Sequence, residues 1–282
     1  MARSIDGLVV AITGGGRGIG AATARALSSA GARVAIGDLD LDAAEKVAAD
    51  LNQAIALPLD VTDRPGYTAF LDSVEEQLGP LDVLVNNAGI MPVAPFVDES
   101  DATTARQLAI NLHAVIHGTR EAVRRMRPRG HGHIVNVASS AGKAGLPGVA
   151  TYCATKHGVV GLSEAVHVEL RGTGVEVSCV MPGIVRTELS AGLGELRGIK
   201  TIGPDDVATA IVSAIRRPRF DVYVPRSAGT TIYLARLVPR RAGEWVARRL
   251  GAETAIIGAA NSPQRAAYEA RAATSAPSVD QG

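Results

Sequence analysis

Leu8-Val-Val-Ala-Ile-Thr-Gly-Gly-Gly-Arg-Gly-Ile-Gly20 decides the fold. An apolar, β-branched run at Leu8–Ile12 breaks into glycines and is followed at once by the Ala-rich segment Ala21-Ala-Thr-Ala-Arg-Ala-Leu27, which has helical spacing. That order predicts a strand, a tight turn and a helix. Gly14 permits the turn, Gly18 lets the backbone approach an anion and Gly20 allows close helix packing, while the first helical turn offers unpaired N–H groups. Read alone, the stretch also suits an ordinary glycine-rich turn, because its TGxxxGxG spacing differs from GxGxxG.

Outward from this stretch, short β-branched runs keep alternating with Ala-rich helical segments, the pattern of a parallel sheet crossed over by helices. Strands are predicted at Leu8–Ile12, Arg33–Ile36, Ala54–Leu59, Asp82–Val85, Gly132–Ala138, Val175–Val180 and Phe220–Val224. Val83-Leu-Val85 and Ile134-Val-Asn-Val137 are apolar on both faces, as strands covered on both sides should be. Ligands of such sheets bind beyond the carboxyl ends of the strands, so the loops there carry the candidate residues.

The whole chain fits this reading. Its 282 residues, 46% apolar and 20% charged, are enough for a large core and exclude a disordered or disulfide-stapled chain. A net charge of +1 gives no general attraction to nucleic acid, and none is expected as a partner. Cys153 and Cys179 are too few for a disulfide framework and fit a reducing compartment. The N-terminal apolar run is too short for a signal peptide, and no run of about 20 apolar residues occurs, so a cytoplasmic chain without a spanning helix is expected.

Asp38 follows the second strand about 20 residues beyond the glycines, where a carboxylate can accept both ribose hydroxyls of an adenosine and repel a 2′-phosphate. This favours NAD(H). Arg17 is a basic group that partly offsets the repulsion, so NADP(H) stays open. Asp38 or Asp40 can also cap the helix starting near Leu41, and Asp40 fits the cap better. Tyr152 and Lys156 stand four apart on one predicted helix face, with Ser139 at a strand end 13 residues earlier. An adjacent ammonium favours a phenolate, which would make Tyr152 usable as an acid or base near neutrality, although such a spacing also describes a plain amphipathic pair.

Taken together these residues resemble the short-chain dehydrogenase/reductase family. The likeness runs from about Leu8 to Val224 through Thr13-Gly-x-x-x-Gly-x-Gly20, Asp60-Val61, Asn86-Asn-Ala-Gly89, Asn111, Ser139, Tyr152-x-x-x-Lys156 and Pro182-Gly-x-x-x-Thr187. The resemblance implies an α/β, Rossmann-type doubly wound seven-stranded parallel sheet with helices on both faces. It implies Tyr152 as general acid/base and Ser139 as the hydrogen-bond partner of the substrate oxygen. Lys156 would lower the Tyr152 pKa and hold the nicotinamide ribose, and Asn111 would hold the water linking Lys156 to solvent. The cofactor would lie on Gly14, Arg17, Gly18, Ile19 and Gly20, with Asp60 and Val61 at the adenine. Asn87, Ala88 and Gly89 would follow the ribose side, and Pro182, Gly183, Val185 and Thr187 the nicotinamide. A homodimer or homotetramer is the implied assembly.

Other candidates carry less. His131-Gly-His133 lacks third and fourth ligands, and His113 with His117 lacks an HExxH pattern, so no metal is expected. Cys153 is read as a neighbour of the site without a base to make it a nucleophile. Glu188–Lys200, small and apolar, reads as a mobile lid that favours a hydrophobic substrate. The chain lacks the glycine-rich ending of many family members and looks more like those acting on retinoids, steroids or other lipid-like alcohols and ketones.

Three regions are expected: a dinucleotide-binding and catalytic domain over 1–225, a helical C-terminal extension over 226–272 and a frayed tail over 273–282. Ile215–Leu250 carries nine arginines against Asp221 and Glu244. Within it, Thr230–Leu250 is expected to form two short amphipathic helices that lie peripherally on an anionic membrane, cap a hydrophobic substrate site or make a dimer or core contact with solvated arginines. The overall expectation is an NAD(H)-dependent oxidoreductase for a hydrophobic secondary alcohol or ketone. A silent dinucleotide-binding scaffold or sensor is the alternative.

Overall fold

A computed structural model describes residues 2–194, 201–239, 256–260 and 262–275. Its seven strands are β1 (Val9–Thr13), β2 (Arg33–Asp38), β3 (Ala54–Pro58), β4 (Val83–Asn86), β5 (Gly132–Val137), β6 (Val175–Pro182) and β7 (Asp221–Val224). They form one parallel sheet in the order β3-β2-β1-β4-β5-β6-β7. Every predicted strand is present, with ends moved by no more than two residues. The helices are α1 (Gly18–Ser29), α2 (Leu41–Ala49), α3 (Arg64–Leu78), α4 (Asp101–Leu108), α5 (Ala114–Met126), α6 (Ala150–Glu169), α7 (Pro204–Arg216), α8 (Arg226–Leu237) and α9 (Pro263–Thr274). A wide π turn at Ala109–His113 joins α4 to α5.

The period-two alternation of the strands builds two cores. Val10 and Ile12 of β1 join Ala21, Ala24 and Leu27 of α1 and Val207 and Ile211 of α7 on one face. Val9 and Ala11 join Phe70, Leu71 and Val74 of α3 and Ala114 and Ala122 of α5 on the other. Both faces are covered, which explains why these strands are apolar throughout. The chain runs from β1 outward to β3, then returns to place β4 on the opposite side of β1. The loops after β1 and β4 therefore diverge and leave a crevice at the switch point of the sheet.

The C-terminal region departs most from expectation. Of the two helices expected in Thr230–Leu250, α8 ends at Leu237 and residues 240–255 lie outside the described residues. A further helix, α9, has Ser262 ahead of Pro263 in its first turn and buries Arg265, Tyr268 and Ala272. It runs two residues past the 272 boundary set for the extension. In the expected lid, Glu188–Ser190 forms a single helical turn, and residues 195–200 lie outside the described residues. Among the described residues no helix is long and apolar enough to cross a membrane.

Candidate active site

A cavity of about 430 Å³ occupies the crevice. Of the site residues expected from the sequence, all but Gly20 and Asn111 line it. Its floor is made by two loops tied together at Thr13. The Thr13 hydroxyl accepts from the N–H groups of Asn87 (3.0 Å) and Ala88 (3.1 Å), and the Asn87 side-chain amide donates to the carbonyls of Thr13 and Gly14, both at 2.9 Å. Both amide hydrogens of Asn87 are thus spent on bracing the loop. Gly14 sits at φ +64°, and a Cβ there would lie 2.8 Å from the Ala88 backbone. Only glycine meets both conditions.

Gly20, read in the sequence as the packing glycine of the cofactor loop, does not line the cavity. A Cβ there would come within 2.2 Å of the Gly14 carbonyl oxygen, so its role is close packing of α1 under the loop. Arg17 precedes α1, no side chain caps the helix, and Gly18 and Ile19 line the cavity. The first-turn N–H groups are left for an anion, as the phosphates of a dinucleotide require.

Asp38 closes β2 and lines the cavity. One carboxylate oxygen accepts from the Gly16 N–H at 2.8 Å and the other from the Asp40 N–H at 3.0 Å. These bonds aim the carboxylate while leaving lone pairs for hydroxyl donors. Asp40, not Asp38, caps α2, accepting from the Ala43 N–H at 3.0 Å. Arg17 forms an ion pair with Asp40 and lies 4.0 Å from Glu188. The Asp60 carboxylate accepts from the Thr62 N–H (2.8 Å) and hydroxyl (2.7 Å), which turns the chain after β3 and brings Asp60 and Val61 to the cavity.

Ser139, Tyr152 and Lys156 converge on the same cavity from the end of β5 and the first turns of α6. The Ser139 hydroxyl accepts from the Ala141 N–H at 3.1 Å, which fixes its direction. Lys156 donates to the Val137 carbonyl at 2.9 Å, and its Nζ stands 5.7 Å from the centre of the Tyr152 ring. Burial pushes the Tyr152 phenol up to about 12, with the Ser139 hydroxyl pulling the other way. Burial also pushes Lys156 down to about 8. Burial, rather than the nearby ammonium, sets the direction of the Tyr152 shift in the chain by itself. The spacing of four does bring the groups together, but desolvation acts on both and opposes both charged forms.

Asn111, fully buried, sits in the π turn and reaches the loop after β4. Its side-chain oxygen accepts from the Ile90 N–H at 2.8 Å and its amide donates to the Ile90 carbonyl at 2.7 Å. A Cβ on Gly89 would lie 3.2 Å from that oxygen and 3.6 Å from the Lys156 Nζ, so Asn111 is a close neighbour of the lysine. Its side chain holds the loop. Cys153 does not line the cavity but packs in the apolar cluster that forms part of its wall, and its thiol accepts from the Leu146 N–H at 3.4 Å. His133 is buried, bonded to Ser178 at 2.9 Å and held near 3 by burial, while His117 meets Arg64 and the Tyr67 ring.

The other half of the cavity was not foreseen. Met91, Leu146, Val149, Leu193, Ile256 and Tyr268 form an apolar wall, with Tyr268 supplied by α9. The Tyr268 hydroxyl accepts from the Met91 N–H at 2.7 Å. A cap over the site was one of the roles expected of Thr230–Leu250, of which 240–250 lie outside the described residues; among the described residues Ile256 and α9 help to cover the cavity. A usable signal was present: Ser262-Pro263 starts a helix, and Arg265, Tyr268, Glu269 and Ala272 share one face of it.

Comparison with known proteins agrees with this geometry. Residues 8–197 match the family described as short chain dehydrogenase. The sorbitol dehydrogenase of Cereibacter sphaeroides is 38% identical over 186 residues, 65% of this chain and 73% of that protein. The 3-alpha-(or 20-beta)-hydroxysteroid dehydrogenase of Mycobacterium tuberculosis is 37% identical over 191 residues, 67% and 74% of the two chains. Some matching proteins are much longer, and this chain spans 18% of one and 43% of others. A crystal structure of a short chain dehydrogenase/reductase from Burkholderia phymatum in complex with NAD superposes with a TM-score of 0.77 at 28% identity, over 83% of this chain and 94% of that one.

Proposed function

The chain belongs to the short chain dehydrogenase family, and from that premise we propose that it interconverts an apolar secondary alcohol and its ketone with NAD(H). The observation that carries this reading is one cavity with two unlike halves meeting at Ser139, Tyr152 and Lys156. One half offers an uncapped helix start and Asp38, and the other a wall of aliphatic and aromatic side chains. The B. phymatum structure holds NAD in the same fold. A polyol such as sorbitol carries several hydroxyls that the apolar wall would leave unpaired, whereas a steroid-like skeleton matches it.

When bound, the dinucleotide gives or takes the hydride. In this proposal the chain does the rest. Ser139 and Tyr152 hold the substrate oxygen, and the Tyr152 hydroxyl donates its proton to that oxygen in reduction and recovers it in oxidation. Burial of Tyr152 keeps the phenol protonated through neutrality, which suits reduction. Lys156 orients the ribose beside it, and Asn111 positions the Gly89–Ile90 loop against Lys156. Arg17 is occupied by Asp40 and faces Glu188, so it is poorly free to receive a 2′-phosphate, and NADH is the expected partner.

A fluorescence titration with NADH and NADPH, followed by turnover on apolar secondary alcohols and ketones, tests the proposal. Tighter NADH binding with turnover is expected. Tight binding without turnover over the whole panel would favour the sensor reading, and absent binding would overturn both. The exposed Tyr233 and Leu234 on α8, within the arginine-rich stretch of sequence Ile215–Leu250, support a second, peripheral role at an anionic membrane. Flotation of the full chain with anionic vesicles, unmatched by a chain ending at Arg226, is its expected signature.

A further inference from the structure

The largest fully buried side chain in the described structure is a charged one, Arg265 of α9. Its guanidinium is wired to three segments. One terminal nitrogen donates to the carbonyls of Leu189 (2.9 Å) and Ala191 (3.1 Å), the other to the carbonyl of Met91, and Nε to Glu269 at 2.6 Å. Glu269 in turn accepts from the Val93 N–H at 3.3 Å. The Tyr268 hydroxyl takes the Met91 N–H while Arg265 takes the Met91 carbonyl, so α9 holds both polar groups of that one residue. The Arg265 side chain also lies over the Tyr268 ring, 4.8 Å from its centre.

Arg265 does not itself line the cavity, but Met91, Leu189 and Tyr268 all do. A buried guanidinium is costly unless its donors are satisfied, and its planar fork suits several fixed carbonyls at once. A site that only needed apolar packing would not require this. We infer that Arg265 is the positioning residue of the substrate half: it locks the loop after β6, the loop after β4 and α9 into one rigid wall, and so sets which apolar substrates fit. Tyr268, held by that lock, is the specificity-determining side chain. The inference rests on the dehydrogenase reading for its substrate, but the lock itself can be read without turnover.

The test compares the full-length chain with Arg265→Met and Arg265→Lys, using hydrogen exchange and NADH-coupled reduction of cyclohexanone and trans-1-decalone. In Arg265→Met, exchange at residues 187–194 and 90–93 should rise at least ~tenfold while that of β5 stays unchanged. KM for decalone should rise ~tenfold or more, KM for cyclohexanone less, and kcat should change under ~threefold, the split expected when positioning is lost. Arg265→Lys, which keeps the charge and part of the donor set, should recover some of the KM. Unchanged exchange in both loops would overturn the lock. So would a fall in kcat with KM retained for both ketones, the mark of a smaller folded fraction. If Arg265→Met does not fold, as NADH binding would show, Tyr268→Phe replaces it: it should raise exchange at Met91 and KM for decalone, and no change in either overturns the inference. Wild-type chain that reduces neither ketone would count against the dehydrogenase reading, while the exchange arm still decides the lock.

Discussion

The two halves of the cavity are assembled from very different distances along the chain. The cofactor half is held by loops that directly follow strands: Thr13 to Asn87 and Ala88, and Asp38 to Gly16, each from a segment with its own sequence signature. The substrate half is closed by contacts between residues 174 to 177 positions apart, joining Met91 and Val93 to α9. A sheet fixes where its strand ends go, so residues placed there need little else to find their partners. A wall made by folding a distant helix back over the sheet depends on a few buried polar bonds. The first half can be shared across a family, while the second is free to vary with the substrate.

The strongest way to break this comparison is at the seam. Tyr152→Phe should lower kcat by about 10²–10⁴-fold, the usual worth of a general acid–base group, while NADH binding and the wall stay intact. Steady-state kinetics beside an NADH titration would check it, and an unchanged kcat would remove Tyr152 from the chemistry.

Next in size is an effect on stability. Lys156 has its pKa lowered to about 8 by burial, below its ordinary value of 10.5, so the unfolded chain binds the extra proton between those values. Stability tied to this group is greatest above about 10.5 and is lost as pH falls through about 8. At pH 7 the buried ammonium is a burden, so Lys156→Met should stabilise the cofactor-free chain by up to about 3 kcal/mol while abolishing turnover. The gap in Tm between the two should narrow as pH rises from 8 to 10.5. A gap that does not depend on pH would mean that the lysine is solvated.

Asp38→Ala acts on the cofactor half alone. Losing charge-assisted bonds worth about 1.5–3 kcal/mol should weaken NADH by roughly 10–100-fold and leave NADPH nearly unchanged, read by titrating both. Equal weakening of the two would place the carboxylate away from the ribose. Smallest of all should be Arg271→Ala. Its pair with Glu188 is 2.6 Å long but half exposed, so it should cost less than about 1 kcal/mol and move KM under about threefold. A large loss there would shift the wall's support from the buried Arg265 to the surface.

The same contrast explains what was legible in the sequence. Continuous apolar runs bounded by polar loops placed all seven strands, because burial on both faces leaves that mark. Gly14, Asp38 and the Tyr152–Lys156 pair were legible because turn geometry and helical spacing act over a few residues. Two things were not. Arg265 looks like a surface arginine in any window of sequence, since only its distant carbonyl partners make it a core residue. The closeness of Lys156 to Tyr152 could be read from their spacing, but their burial could not, and burial opposes the charged form of both. The close packing read for Gly20 is seen against the Gly14 carbonyl, whereas the bonds of Asn111 to Ile90 join residues 21 positions apart and leave no mark in a short window of sequence.

The central claim, a nicotinamide site joined to an apolar substrate wall, is met most directly by one competition. NADH-dependent kcat/KM should be measured for trans-1-decalone and for fructose, a ketone with several hydroxyls. Each hydroxyl buried without a partner costs about 1–3 kcal/mol, so the account predicts a preference for decalone of at least ~100-fold. Equal efficiency, or a preference for the sugar, would contradict it.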